Sequence, residues 1–172
     1  MANFSEFLHS VSLFQDLEPP TLGILASLLT ARKVKGGVTI FRELDASDAL
    51  YVVEEGSVVV SKHVHGDVDI VISRFRPGDF FGEMGLFDAA PRSASAHAEV
   101  DTQLWMLRRD AFNHIMSDHV DIGAKICYRL VGVFIQRLRA TNEQAREAIR
   151  WGLEATGYSP ISDPALLGRK ST

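Results

Sequence analysis

The sequence has a single cysteine, Cys127, among its 172 residues. One cysteine excludes an intramolecular disulfide and any metal centre built from several thiolates. No apolar run reaches the roughly 18 residues that a membrane-spanning helix needs. The start of the chain also lacks the pattern of a secretory leader, which is a basic beginning, an apolar centre and a cleavage site of small residues. These absences predict a cytoplasmic protein that does not associate with a membrane.

The chain has fewer basic than acidic residues, with 18 Lys and Arg and 22 Asp and Glu, which gives a formal net charge of −4. This balance does not favour attraction to nucleic acid, and we expect no direct DNA binding. A hydrophobic content of 46% and a charged content of 23% are typical of globular proteins. The length suits one domain with a sizeable core.

The first two thirds of the chain change from a helical to a strand pattern. "PPTLGILASLLTARK" (19–33), with Thr21 as candidate N-cap, places leucines on one helical face, so residues 1–37 are predicted to form N-terminal helices. Residues 38–109 contain short segments rich in β-branched and aromatic residues, separated by turn sequences. Many short strands at close spacing predict a β jelly-roll barrel, so the fold class is mainly β (α+β) with flanking helices.

After Arg109 the helical spacing of apolar residues returns over 110–155, as a short hinge helix and then a long one. The proline-free stretch 121–155 is longer than a lid on a small barrel requires. Its apolar stripe therefore predicts a second copy of the chain as partner, which makes a homodimer through this helix. We predict one domain over 1–155, followed by a loosely ordered tail at 156–172 that contains Pro, Gly and Ser.

One glycine-flanked segment, "FGEMGLFDAAPRSASA", has residue types suited to a phosphate and a sugar. Gly82 and Gly85 allow a ligand to approach the backbone, and the helical turn expected there directs N–H groups toward an anion. Arg92 supplies a planar set of donors that matches two oxygens of one phosphate. Glu83 only accepts hydrogen bonds when ionised, so it suits a pair of hydroxyls. The segment therefore predicts a site for a sugar that carries a phosphate.

This segment resembles the phosphate-binding cassette of the cyclic-nucleotide-binding domain family, whose pattern is F-G-E-x-[A/G]-L, a short spacer and P-R-[S/T/A]-A-[S/T]. "LYVVEEGSVVV", "RPGDFFGE" and "LWMLRRDAFNHIM" are similar to neighbouring elements of the family, so the resemblance covers about residues 7–120. It implies a jelly-roll fold, a cassette at 80–96, and a 3′,5′-cyclic nucleotide as ligand, cAMP ahead of cGMP, with no other cofactor. Leu44 stands where the family usually has glycine.

The resemblance also implies individual roles. Arg92 would bind the exocyclic oxygens of a cyclic phosphate with Ser93 beside it, and Glu83 would accept from the ribose 2′-hydroxyl. The backbone of Gly82, Glu83, Met84 and Gly85 would line the sugar and phosphate. The bacterial activator members of the family have further contacts, which correspond here to Ser73 near the base, Thr141 toward the adenine and Asn142 near the partner subunit.

Other functional classes find less support in the sequence. His63 and His65 share a strand face as in metal-binding cupins, but the glutamate and second histidine motif of that pattern do not follow, so no metal site is expected. No nucleophile–base arrangement is present, so we predict no catalytic residues and no enzyme.

We predict a stand-alone sensor subunit without a DNA-binding helix-turn-helix. It would signal to an unknown protein effector as a hinge at 110–120 moves the long helix. The alternatives are a degenerate domain that serves as a dimerisation module, a receptor for a cyclic dinucleotide, and a cupin-like metalloenzyme.

Overall fold

The computed structural model describes residues 2–65 and 68–157 of the chain. Its contacts divide into two compact units, Met1–Leu130 and Val131–Thr172. The first unit holds all the strands found in the described residues, and the long C-terminal helix begins in the first unit and continues into the second. No helix in these described ranges is long and apolar enough to cross a membrane.

The elements follow the predicted order of helices, strands and helices. They are α1 Ala2–Ser10, α2 Pro19–Leu28, β1 Thr30–Val34, β2 Thr39–Phe41, β3 Ala49–Glu55, β4 Val58–His65, β5 Val68–Phe75, β6 Phe80–Phe81, α3 Met84–Phe87, β7 Ser95–Ala98, β8 Thr102–Arg108, α4 Arg109–Asp118 and α5 Val120–Ala155. The predicted tail, apart from its first two residues, lies outside the described residues.

The strands form two antiparallel four-stranded sheets, with the orders β1-β8-β3-β6 and β2-β7-β4-β5. Neighbours in each sheet are mostly distant in sequence, which is the connectivity of a jelly roll. The predicted fold class, mainly β with flanking helices, is confirmed. Apolar side chains from both sheets meet in one cluster, which includes Tyr51, Val58, Phe81 and Leu104. This cluster is the core that supports the cassette.

The N-terminal helical prediction was wrong in two details. The helix predicted over 19–33 ends at Leu28, and Thr30–Val34 instead forms β1, which pairs with β8 along its whole length. Backbone pairing with β8 overrides the continuation of the helix into residues 30–34, a segment that contains no leucine. The N-cap is Glu18 and not Thr21, because prolines occupy the first helical positions, where they have no N–H to leave unsatisfied.

The turn between β2 and β3 keeps a conformation that usually requires glycine. Leu44 has φ 71°, in the left-handed region, and the residue is 78% exposed. Its N–H donates to the carbonyl of Arg92 at 2.9 Å, and the N–H of Arg92 donates to the carbonyl of Asp45 at 2.8 Å. These two bonds fix the turn against the cassette, so the backbone stays in place although leucine is strained there.

We predict that Leu44→Gly stabilises the protein by about 1 kcal/mol. Replacing a non-glycine residue in the left-handed conformation removes a strain of about 1–2 kcal/mol from the folded protein. The greater freedom of glycine in the unfolded chain lowers the free energy of unfolding by about 0.5–1 kcal/mol, so a net gain remains. Urea unfolding of the two proteins measures the difference. Leu44→Ala is the matched control and should give no such gain, because alanine keeps the Cβ. Equal stability of the glycine and alanine variants would contradict the strain argument.

Candidate ligand-binding site

Within the cassette, β6 ends at Phe81 and is followed by a glycine with φ 76°, Gly82. A Cβ on Gly82 would lie 2.8 Å from Nη1 of Arg92 and 3.1 Å from the carbonyl oxygen of Ala49. A Cβ on Gly85 would lie 2.6 Å from Oγ of Ser47. Both glycines are therefore required by the close packing of the protein's own groups, a reason that the sequence analysis did not identify.

Arg92 lies inside the protein, with only 5% of its surface exposed. Its Nη1 donates to the carbonyl of Gly82 at 3.1 Å and its Nη2 to the carbonyl of Ala49 at 2.9 Å. Its Cζ lies 4.2 Å from the ring centroid of Phe41. Its Nε is buried and has no hydrogen-bond partner among the residues that the structure describes.

The electrostatics of this arginine are unusual for the inside of a protein. Burial lowers the pKa of Arg92, while the nearby hydroxyl of Tyr51 and the carboxylates of Asp48 and Glu83 oppose that shift. An arginine stays protonated even so. Both acceptors of its terminal nitrogens are neutral carbonyls. A buried charge is costly unless it is paired and fully hydrogen-bonded, so this site is suited to an anion that can reach the guanidinium.

The remaining residues predicted for the cassette surround Arg92 in different environments. Glu83 is buried at 4% exposure and precedes the single helical turn of α3, in which Leu86 N–H donates to its carbonyl. Met84 is 58% exposed, and Ser93 is exposed directly after the arginine. The structure thus brings the backbone of Gly82 into contact with Arg92 and buries the carboxylate that was predicted to face a sugar.

The residues predicted to contact the base and the partner subunit are not in the cassette. Ser73 is half-buried on β5, opposite Val60 of β4. Thr141 and Asn142 are exposed on the part of α5 that belongs to the second unit. Their roles therefore stay predictions.

A second arginine, Arg109, was missed by the sequence analysis. It is the first residue of α4, and its Nε donates to the carbonyl of Gly85 at 2.7 Å. Its Nη2 donates to the carbonyl of Asp88 at 2.6 Å and to that of Ser47. The rings of Phe87 and Phe112 meet edge to face at 5.5 Å in the same region. Arg109 and this aromatic pair join the short turn α3 to the helix α4.

Of the two histidines considered as metal ligands, His63 has another contact. Nδ1 of His63 lies 3.1 Å from a carboxylate oxygen of Asp69 on the neighbouring strand. Within residues 2–65 and 68–157, no three His, Cys, Asp or Glu side chains are grouped to hold a metal ion.

Comparison with known proteins identifies this architecture. Residues 31–119 match the family model of the cyclic nucleotide-binding domain. A solved cyclic nucleotide-binding domain from Methylobacillus flagellatus superposes with a TM-score of 0.75 at 25% identity, covering 83% of this chain and 82% of that one.

Two curated relatives are similar in sequence. A cAMP-dependent protein kinase regulatory subunit of Aspergillus fumigatus is 36% identical over 125 residues, which are 73% of this chain and 30% of that protein. A CRP-like cAMP-activated global transcriptional regulator of Mycobacterium tuberculosis is 28% identical over 144 residues, 84% of this chain and 62% of that protein. The chain thus spans about a third of one relative and under two thirds of the other.

Proposed function

Because the chain belongs to the cyclic nucleotide-binding domain family, we propose that it binds a 3′,5′-cyclic nucleotide in the cassette at 80–96, with cAMP preferred to cGMP. The observation that carries this proposal is the buried guanidinium of Arg92, whose terminal nitrogens donate to the neutral carbonyls of Gly82 and Ala49 and whose buried Nε has no partner in the described part of the chain. The preference for adenine is supported by the relatives named for cAMP.

The groups of the cassette fit the parts of such a ligand. The cyclic phosphate carries a negative charge, and a guanidinium can bind two of its oxygens at once through charge-assisted hydrogen bonds. The hydroxyl of Ser93 is exposed beside this arginine, and the carboxylate of Glu83 would accept from the ribose 2′-hydroxyl. The backbone from Gly82 to Gly85 would contact the sugar and phosphate. Ser73, Thr141 and Asn142 remain the residues proposed for the base and the partner subunit.

The signal would leave the cassette through α4. A ligand that engages Arg92 competes with the carbonyls of Gly82 and Ala49 for the guanidinium, and so acts on the turn α3. This turn is tied to the start of α4 by two hydrogen bonds of Arg109, to the carbonyls of Gly85 and Asp88. A ligand that prefers one position of α3 would therefore shift the population of α4, and with it the helix α5. A regulatory subunit of this kind would act on a protein effector that recognises the helix position.

The second unit supports the proposal of a homodimer. On α5, Val131, Ile135 and Leu138 are 53%, 45% and 62% exposed, and they are separated by four and three residues. The same alternation continues through Asn142 and Ile149. Apolar residues at this spacing form the seam of a two-stranded coiled coil, and an asparagine within the seam fixes its register. A domain that only dimerises would use the same stripe, and nucleotide binding distinguishes the two functions.

We predict that the protein binds cAMP and that Arg92→Ala weakens this binding at least 100-fold. Each hydrogen bond between a charged group and its partner contributes about 1.5–3 kcal/mol, so the loss of two gives about 3 kcal/mol or more. Isothermal titration calorimetry with cAMP, cGMP and cyclic di-GMP measures the affinities and identifies the base. Arg92→Lys keeps the charge without the planar donors, so its affinity for cAMP should lie between those of the unsubstituted protein and Arg92→Ala.

Arg74→Ala is the matched control, since Arg74 is exposed on β5 and pairs with Glu99 at 3.0 Å. Its affinity should equal that of the unsubstituted protein, and circular dichroism confirms that each variant is folded. Unchanged affinity of a folded Arg92→Ala protein would refute the assignment of the site. No binding of any of the three ligands would favour the dimerisation module, and preference for cyclic di-GMP would favour the dinucleotide receptor.

We also predict that Ile135→Asp converts the dimer into a monomer, because a carboxylate in an apolar seam loses its hydration without gaining a partner. Analytical ultracentrifugation over a range of concentrations measures the association. Gln136→Asp places the same charge on the next residue, which lies outside the proposed seam, and should leave the dimer intact. A monomeric unsubstituted protein, or equal effects of the two substitutions, would contradict the proposed seam.

A further inference from the structure

We propose that Phe41 is a positioning residue for the phosphate-binding arginine, because its ring fixes the plane of the Arg92 guanidinium. This inference rests on the proposed function, since it concerns how the same site is prepared for its ligand.

The contact between the two side chains is close and specific. Cζ of Arg92 lies 4.2 Å from the ring centroid of Phe41 but 5.7 Å from that of Tyr51. Phe41 is the last residue of β2 and packs near two other rings. Its ring centroid lies 5.8 Å from that of Tyr51 and 6.0 Å from that of Phe81. Those two rings stack on each other at 5.3 Å. The ring that contacts the guanidinium is thus part of a packed aromatic cluster, which restricts its movement.

The chemistry of the guanidinium explains why a ring is needed there. All five N–H donors lie in the plane of the group, so its faces cannot form hydrogen bonds. The carbonyls of Gly82 and Ala49 fix the two terminal nitrogens within the plane, while the ring of Phe41 covers one face without using a donor. Nε remains with no partner in the described residues. The attraction between a cation and an aromatic ring strengthens as water is excluded, and here Arg92 is buried and Phe41 is half-buried.

The backbone keeps the two side chains together. Phe41 pairs with Ala96 of β7, the strand in which the cassette ends. The next turn is bonded to Arg92 itself, through the Leu44 N–H and the Asp45 carbonyl. The segment that carries the ring and the segment that carries the arginine are therefore joined by main-chain hydrogen bonds on both sides. A leucine at position 41 would preserve most of this packing but would remove the π face.

The test is a double-mutant cycle in which cAMP affinity is measured by calorimetry. Phe41→Leu should weaken binding about five- to thirty-fold when Arg92 is present, the range that a desolvated cation–π contact can supply. In the Arg92→Ala background the same substitution should change affinity less than about twofold, because no cation remains to interact with the ring. Phe41→Tyr should bind like the unsubstituted protein. Phe14→Leu, the same change at a fully buried ring in the N-terminal segment, should lower stability without altering affinity.

Equal losses in the two backgrounds, no loss at all, or a Phe41→Tyr protein as weak as Phe41→Leu would overturn the inference. A second readout needs no ligand: the ring current of Phe41 should shift the Arg92 Nε–H resonance upfield in the free protein, and Phe41→Leu should remove that shift. Absence of the shift in the unsubstituted protein would overturn the inference as well. Failure of the unsubstituted protein to bind any cyclic nucleotide would refute the proposed function, whereas binding without coupling between the two residues refutes only the role of Phe41.

Discussion

The burial of one positive charge, the guanidinium of Arg92, is the constraint on which the rest of the site depends. Moving a charge out of water is costly, so its surroundings must satisfy the donors and leave room for them. Gly82 has no side chain that would collide with the guanidinium, and the carbonyl of Ala49 accepts a hydrogen bond from the guanidinium. The ring of Phe41 covers its face. These neighbours come from distant parts of the sequence, so only the jelly roll brings them together.

The single helical turn α3 follows Gly82 and is bound by a second arginine. Arg109, at the start of α4, donates to the carbonyls of Gly85 and Asp88. Arg92 binds the carbonyl of Gly82, which also accepts from the N–H of Gly85 in α3. Arg92 is the proposed phosphate ligand, and Arg109 belongs to the helix that leads into α5. A change in the hydrogen bonds of Arg92 can reach the helices through main-chain atoms, without a change in the core of the barrel. This connection is the physical basis of the proposed signal.

The sequence predicted what depends on local patterns. Most strands, the long helix and the jelly roll follow from residue types and turn sequences, and the family was indicated by the order "FGEMGL" then "PRSASA". Contacts between distant segments were not predictable. Phe41 was one more apolar strand residue, and Arg109 was one more charge at a helix start. β1 was missed because its leucine-rich approach has a helical spacing, while its strand character comes from pairing with β8.

The measurement that tests this account most directly is hydrogen–deuterium exchange of the full chain, with and without saturating cAMP, in the unsubstituted protein and in Arg109→Gln. The account predicts that the ligand changes the protection of both the α3 turn and α4 in the unsubstituted protein. In Arg109→Gln the change at α3 should persist while the change at α4 diminishes, because the link between them has been removed. A ligand-bound protein with altered exchange at α3 and unaltered exchange at α4, before any substitution, would contradict the account.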